Sequence, residues 1–112
     1  MKYSATYLNF DGNAREAMQF YEKALGAKLQ MMSFADARVP NLPPAAGNRL
    51  MHARLTKGPV TIMASDTMPG MAFQKGNNFA VMVDCESAAE AERLFKALSD
   101  KGQVTMPLAE TF

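Results

Sequence analysis

Apolar positions along the chain alternate between two periods, and each change of period marks an element. Residues 3–10 (YSATYLNF) alternate loosely and carry the β-favouring Tyr, Thr and Phe, which predicts a strand. Asp11-Gly12-Asn13 then turns the chain. From Ala14 the spacing lengthens to that of a helix ending near Leu25, with Ala14, Ala17, Met18, Tyr21 and Leu25 as its buried stripe and Arg15, Glu22 and Lys23 outside it. Asn13 with Glu16 three residues later has the form of a capping box, in which each side chain satisfies an orphan amide of the first turn. Gly26 stands where a left-handed residue closes a helix. A second strand is expected over 27–34, followed by a loop over 35–48 holding Pro40, Pro43 and Pro44.

Residues 49–56 (RLMHARLT) and 59–66 (PVTIMASD) read as a hairpin about Lys57-Gly58. The stretch 67–77 has no period and serves as a connector. The grammar then repeats. Residues 78–84 (NFAVMVD) predict a strand, Ser87 and Glu90 a second capping box, and Ala91, Leu94, Phe95 and Leu98 the stripe of a second helix closed by Gly102, with a last strand over 103–106. Asn13 and Ser87 lie 74 residues apart and Gly26 and Gly102 lie 76 apart, which points to an internal duplication. The expected organisation is a single α+β domain: a first βαβββ module over 1–66, the connector over 67–77, and an incomplete second module over 78–112.

Composition narrows the function classes. A chain of 112 residues supports one core. The net charge of +1 and the lack of any Lys/Arg stripe argue against nucleic acid, whose phosphates call for clustered cations. No apolar stretch approaches a membrane span, and Met1 to Phe10 lacks the apolar region of a signal peptide. The lone Cys85 cannot form an internal disulfide, and a cytoplasmic location is expected. The sequence has no phosphate-binding glycine loop, no CxxC and no Ser-His-Asp arrangement.

Certain pieces carry a family look: YLNFDGNAREAMQFYEKALGAKL, MHARL, IMASDTMPG, FAVMVD and LFKALSDKGQVTMPLAETF. Together they resemble PhnB-like proteins of the glyoxalase/bleomycin-resistance (vicinal-oxygen-chelate, VOC) superfamily, a branch often labelled as similar to demethylubiquinone methyltransferases. The resemblance implies paired βαβββ modules of the glyoxalase/bleomycin-resistance/dioxygenase fold, curved around a small-molecule cavity in a homodimer. It also implies a final hairpin beyond Glu110-Thr111-Phe112, so the second module reads as truncated. In this superfamily His and Glu side chains on the concave face hold a divalent metal that acts as a Lewis acid. The positions that resemblance assigns to the histidines are Ala5 and Asn78, so neither a metal nor another cofactor is expected.

Strand parity sketches the pocket. The helices must cover the face carrying Leu8, Phe10, Phe79, Val81 and Val83. The opposite face then carries Tyr7, Asn9, His52, Arg54, Thr61, Met63, Ser65, Asn78 and Met82, a mix of apolar bodies and polar tips suited to a small molecule. Glu110 and Asp66 are further carboxylate candidates. His52, the only histidine, is either a general base, with an unperturbed pKa of about 6.5, or a hydrogen-bonded sheet residue. Cys85, between Asp84 and Glu86, is a poor nucleophile because anionic neighbours disfavour the thiolate. The expected function is binding of an unidentified small molecule, or an uncharacterised metal-independent enzyme activity. The alternatives are a metal-dependent lyase or dioxygenase of the same superfamily, and a non-catalytic ferredoxin-like βαββαβ interaction domain. A methyltransferase is disfavoured by the absence of a Rossmann glycine fingerprint.

Overall fold

The computed structural model describes residues 1–110. The chain divides into two compact units, one spanning Met1–Ala80 and the other beginning at Val81. The first holds β1 (Thr6–Phe10), α1 (Ala14–Leu25), β2 (Lys28–Ser33), β3 (Leu50–Lys57) and β4 (Val60–Asp66), and the second holds α2 (Ala88–Leu98). Among the described residues no helix is long and apolar enough to cross a membrane.

The four strands form one sheet in the order β1-β4-β3-β2. β1 runs parallel to β4, while β4–β3 and β3–β2 are antiparallel. The β3–β4 hairpin is thus inserted between the two strands that α1 connects. Its loop is Gly58-Pro59, one residue beyond the expected centre, because Lys57 already pairs with Val60. Gly58 takes the positive φ of 54° that a tight two-residue hairpin loop needs at its first position.

α1 packs on one face of this sheet, against β2, β3 and β4. Met18 from the helix and Leu50 and Leu55 from β3 are the largest fully buried side chains, with Ala53 and Ala64 filling the narrow space between them. Burial of each large side chain contributes on the order of 1.5–3 kcal/mol. In the β2–β3 pairing the register slips by one between Met32 and Ser33, leaving Met51 of β3 unpaired. Leu50, which strict alternation from His52 would leave on the uncovered face, is therefore buried with the helix. At its C-terminus α1 ends on Gly26 in the left-handed conformation (φ 62°), and Lys57 Nζ donates to Leu25 O at 2.7 Å, satisfying a last-turn carbonyl.

Three expectations are corrected. Residues 78–84 and 103–106 form no strand. A strand is held by its ladder to a neighbour, and neither segment has one among the described residues. Phe79 and Met82 are consequently 93% and 83% exposed, so the parity assigned to that segment has no sheet to act on. Gly102 does not close α2. The helix ends on Ser99, and the positive φ falls on Lys101 (59°). The ferredoxin-like order is also excluded, because three strands rather than two separate α1 from α2.

Candidate functional site

The face of the sheet opposite α1 carries the candidate residues. The pairing registers align its side chains in rows. Tyr7 lies beside Met63, Met63 beside Arg54, and Arg54 beside Gln30. One row along the sheet, Asn9 lies beside Ser65 on one side, and His52 lies beside Met32 on the other. One row in the other direction, Thr61 pairs with Thr56 and Thr56 with Lys28. Adjacent strands are about 4.8 Å apart and same-face residues on a strand about 6.7 Å apart, so these side chains form one continuous wall.

Two rows are joined directly. The Tyr7 hydroxyl and His52 Nδ1 are 3.4 Å apart, and their rings lie tilted at 39° with centroids 6.1 Å apart. Tyr7, Asn9, Gln30, Met32 and Arg54 are exposed, while His52, Met63 and Ser65 are half-buried. The wall thus combines accessible polar tips with the flexible thioether bodies of Met32 and Met63, which adapt to varied apolar shapes.

Six of the expected site residues (Tyr7, Asn9, His52, Arg54, Met63 and Ser65) share this wall, as does Thr61. Asn78 does not share it through a strand. It is exposed and lies outside the sheet. Met82 and Glu110 belong to the second unit and are exposed. Asp66 is corrected. Its carboxylate lies on the helix side of the sheet and accepts three backbone N–H groups, from Gly12 (2.8 Å), Ala14 (3.0 Å) and Leu50 (2.9 Å). It holds the fold together and has no oxygen turned toward a ligand. Lys28, Gln30 and Met32 escaped the sequence reading. Parity along β2 would have found them, given the antiparallel register that sets Gln30 beside Arg54.

A shallow open depression of about 580 Å³ lies on the helix side, lined by Gly12, Asn13, Arg15, Glu16, Asn48 and Arg49 among others. Its cations are already engaged. Arg15 Nη2 donates to Asn48 O at 3.2 Å, and Arg49 Nη1 donates to Asp11 Oδ1 at 3.1 Å and to Thr67 O at 2.8 Å. The hydrogen bonds from Arg49 and then Thr67 hold the Asp11 carboxyl below the usual aspartate value. These side chains brace the β1–α1 turn against the end of β4, and we assign the depression a structural role. Cys85 is equally quiet: partial burial raises its thiol pKa, and the Glu90 and Asp84 carboxylates raise it further against Arg93.

The residues do not fit the divalent metal that the family resemblance implies. His52 is the only imidazole in the chain, and among the described residues no three His, Cys, Asp or Glu side chains converge. The groups around His52 on the sheet are a phenol, amides, a hydroxyl and a guanidinium, none of them a strong ligand for a divalent ion.

Comparison with known proteins supports the fold and identifies the family. Residues 2–110 match the family described as 3-demethylubiquinone-9 3-methyltransferase. Protein YjdN of Escherichia coli strain K12 is 32% identical over 117 residues, covering 95% of this chain and 78% of that protein. The crystal structure of protein PA1353 from Pseudomonas aeruginosa superposes with a TM-score of 0.87 at 39% identity, covering 99% of this chain and 82% of that one. The PhnB protein from Bacillus cereus, which carries the same methyltransferase designation, superposes with a TM-score of 0.73 at 25% identity, covering 96% and 80%. The chain therefore belongs to the 3-demethylubiquinone-9 3-methyltransferase family, the PhnB-like branch of the glyoxalase/bleomycin-resistance superfamily.

Proposed function

We propose that this chain binds a small organic molecule against the uncovered face of β1–β4, with Tyr7, Asn9, His52, Arg54, Met63 and Ser65 as the contacting side chains. One observation carries the reading. A sheet face with a helix on its other side would ordinarily be either covered or uniformly hydrophilic, whereas this one sets methionines among hydrogen-bonding tips in a single register. Methyl transfer, as in the family's designation, has less support, because the sequence contains no glycine fingerprint for a nucleotide-type cofactor. The protein is further proposed to work in the cytoplasm as a homodimer. The exposed apolar residues Phe79, Val81, Met82 and Val83 support the dimer, since an alternating segment without a ladder partner invites pairing with a second chain.

Screening a small-molecule library by thermal shift tests the binding face, with Tyr7→Ala and His52→Ala each abolishing the stabilisation produced by any hit. Asn78→Ala and Glu110→Ala serve beside them, and loss of binding in either extends the site beyond the sheet. Hits that survive both Tyr7→Ala and His52→Ala would place the site elsewhere. Sedimentation equilibrium tests the assembly, and a monomer mass of 12.2 kDa at micromolar concentration would overturn the dimer.

A further inference from the structure

The donor and acceptor inventory of the uncovered sheet face is unbalanced. Its charged side chains are Lys28 and Arg54, two rows of one sheet, and both are exposed. No strand residue on this face is acidic. The one carboxylate of the sheet, Asp66, is turned to the other side and saturated by backbone amides. The third strand cation, Lys57, also belongs to the helix side, bonded to Leu25 O. Among the described residues the ion pair is Arg49–Asp11, on the helix side, so neither Lys28 nor Arg54 is neutralised within the fold.

The Tyr7–His52 pair supplies one further donor whichever way its proton is placed. If the Tyr7 hydroxyl donates to Nδ1, the neutral imidazole carries its proton on Nε2 and offers that N–H outward. If Nδ1–H donates instead, the Tyr7 O–H is free to donate. One outward donor therefore stands diagonally across from the Arg54 guanidinium, with the Met63 thioether between Tyr7 and Arg54.

We infer that the ligand of this face is an organic anion, a carboxylate or phosphonate head on an apolar body, with the head on Arg54 and the Tyr7–His52 pair and the body on Met63 and Met32. The inference rests on the binding face proposed above and names the ligand's charge. Arg54 supplies the charge-assisted hydrogen bonds and, through its planar fork, the preference for a two-oxygen head. Lys28, one row away, adds long-range attraction that salt screens.

The test is a titration of the full chain, isotope-labelled and followed by amide chemical shifts, with four probes of one size: benzoate, phenylphosphonate, benzamide and benzylamine. The expected result is that the two anions move the amides of Tyr7, His52, Arg54 and Met63 and bind at least about ten-fold more tightly than benzamide, with benzylamine weakest. Arg54→Gln removes the preference for the anions over benzamide, and Arg54→Lys keeps part of it. Arg54 is exposed and outside the core, so both variants keep the fold. Binding of benzamide at these amides as tight as benzoate, or anion preference unchanged in Arg54→Gln, overturns the anion and leaves the binding face standing. Shifts confined to Gly12–Glu16 and Arg49, or no shift at the sheet with any probe, overturn both.

Discussion

The two helices begin in different ways, although their sequences begin alike. α2 is capped by its own neighbours. Ser87 sits in extended backbone (φ −149°, ψ 161°), its Oγ accepts from Glu90 N at 3.1 Å, and Glu90 Oε1 in turn accepts from Glu86 N at 3.1 Å. α1 has an asparagine and a glutamate at the same spacing, yet the Asn13 side chain caps nothing. Its backbone (φ −113°, ψ 21°) is not extended, so the side chain is not aimed back at the first-turn amides. The carboxylate that serves α1 comes from the end of β4. Asp66 Oδ1 accepts from Gly12 N and Ala14 N, its other oxygen accepts from Leu50 N, and its negative charge suits the positive end of the helix dipole. One helix start is a local property of four residues. The other is a tertiary joint that ties α1, β3 and β4 at one point.

The sharpest way to break that contrast is to remove Asp66. It is 6% exposed, and Asp66→Ala leaves two buried amide donors, Ala14 N and Leu50 N, without a partner at about 1–3 kcal/mol each, and the part-buried Gly12 N besides. A loss of roughly 3–5 kcal/mol in the stability of the first unit is expected from these terms, read by urea denaturation under far-UV circular dichroism because the chain has no tryptophan. Asp66→Asn should fall between wild type and Asp66→Ala. Its amide oxygen can still accept from Gly12 and Ala14, while its NH₂ faces the Leu50 N–H. A cost near zero for Asp66→Ala would mean that α1 starts without help from the sheet.

The same contrast explains what was legible in the sequence. Ser87 and Glu90 were readable because their partners lie within four residues. Asp66 was not, because its partners are 16, 52 and 54 residues away and nothing in the serine-aspartate end of a strand announces them. Parity placed Tyr7, Asn9, His52, Arg54, Met63 and Ser65 on one face, since alternation is a local rule and the sheet obeys it there. It misplaced Phe79, Val81 and Val83, because alternation says which way side chains would point in a strand but not whether a neighbour exists to make one. It also could not foresee that the slip at Met32/Ser33 turns Leu50 into the core. At Asp66, at residues 78–84 and at Leu50 what remained illegible was a partner in space, whereas Gly102 was a local miss, the left-handed residue being Lys101.

Ser87→Ala sharpens the local half of the contrast. Loss of the N-cap acceptor should cost about 1 kcal/mol. The effect should be confined to the second unit, appearing as amide exchange at Glu90 faster by on the order of five-fold while amides of β3 and β4 are unchanged. Equal acceleration in both units would show that the cap is not a local device.

A smaller effect is expected at the Arg49–Asp11 brace, which is half-exposed at Asp11. Its value depends on pH in a definite direction. Hydrogen bonds from Arg49 and Thr67 lower the Asp11 pKa in the folded protein beneath the ordinary 3.8. The carboxylate's contribution is therefore fully present above that ordinary value and is lost as pH falls through the lower folded one. Asp11→Asn should destabilise modestly at pH 7, and the difference from wild type should shrink below about pH 4. Carbon-detected titration of the Asp11 carboxyl gives the direct check, and a midpoint at or above 3.8 would contradict the brace.

The smallest expected effect is the most discriminating. Asn13→Ala replaces a residue that occupies the N-cap position by sequence and by place, yet its side chain accepts no hydrogen bond from the first turn. The contact Asn13 does provide, its backbone carbonyl accepting from Ala17 N at 3.0 Å, survives in alanine. Asp66 serves the first helical amide, Ala14 N, and anchors the turn, whereas an N-cap side chain would accept from Arg15 N or Glu16 N. The substitution should therefore change stability by no more than a few tenths of a kcal/mol, against the full loss of about 1 kcal/mol that a working asparagine cap would show. Pairing it with Asp66→Ala makes the result decisive. If the Asp66 joint caps α1, Asn13→Ala stays near neutral in the wild-type background. With Asp66 removed, Asn13 is free to take over part of the capping, and the same substitution then becomes costly, a coupling that two independent sites would not show. A loss of about 1 kcal/mol from Asn13→Ala alone would put the two helix starts back in one class.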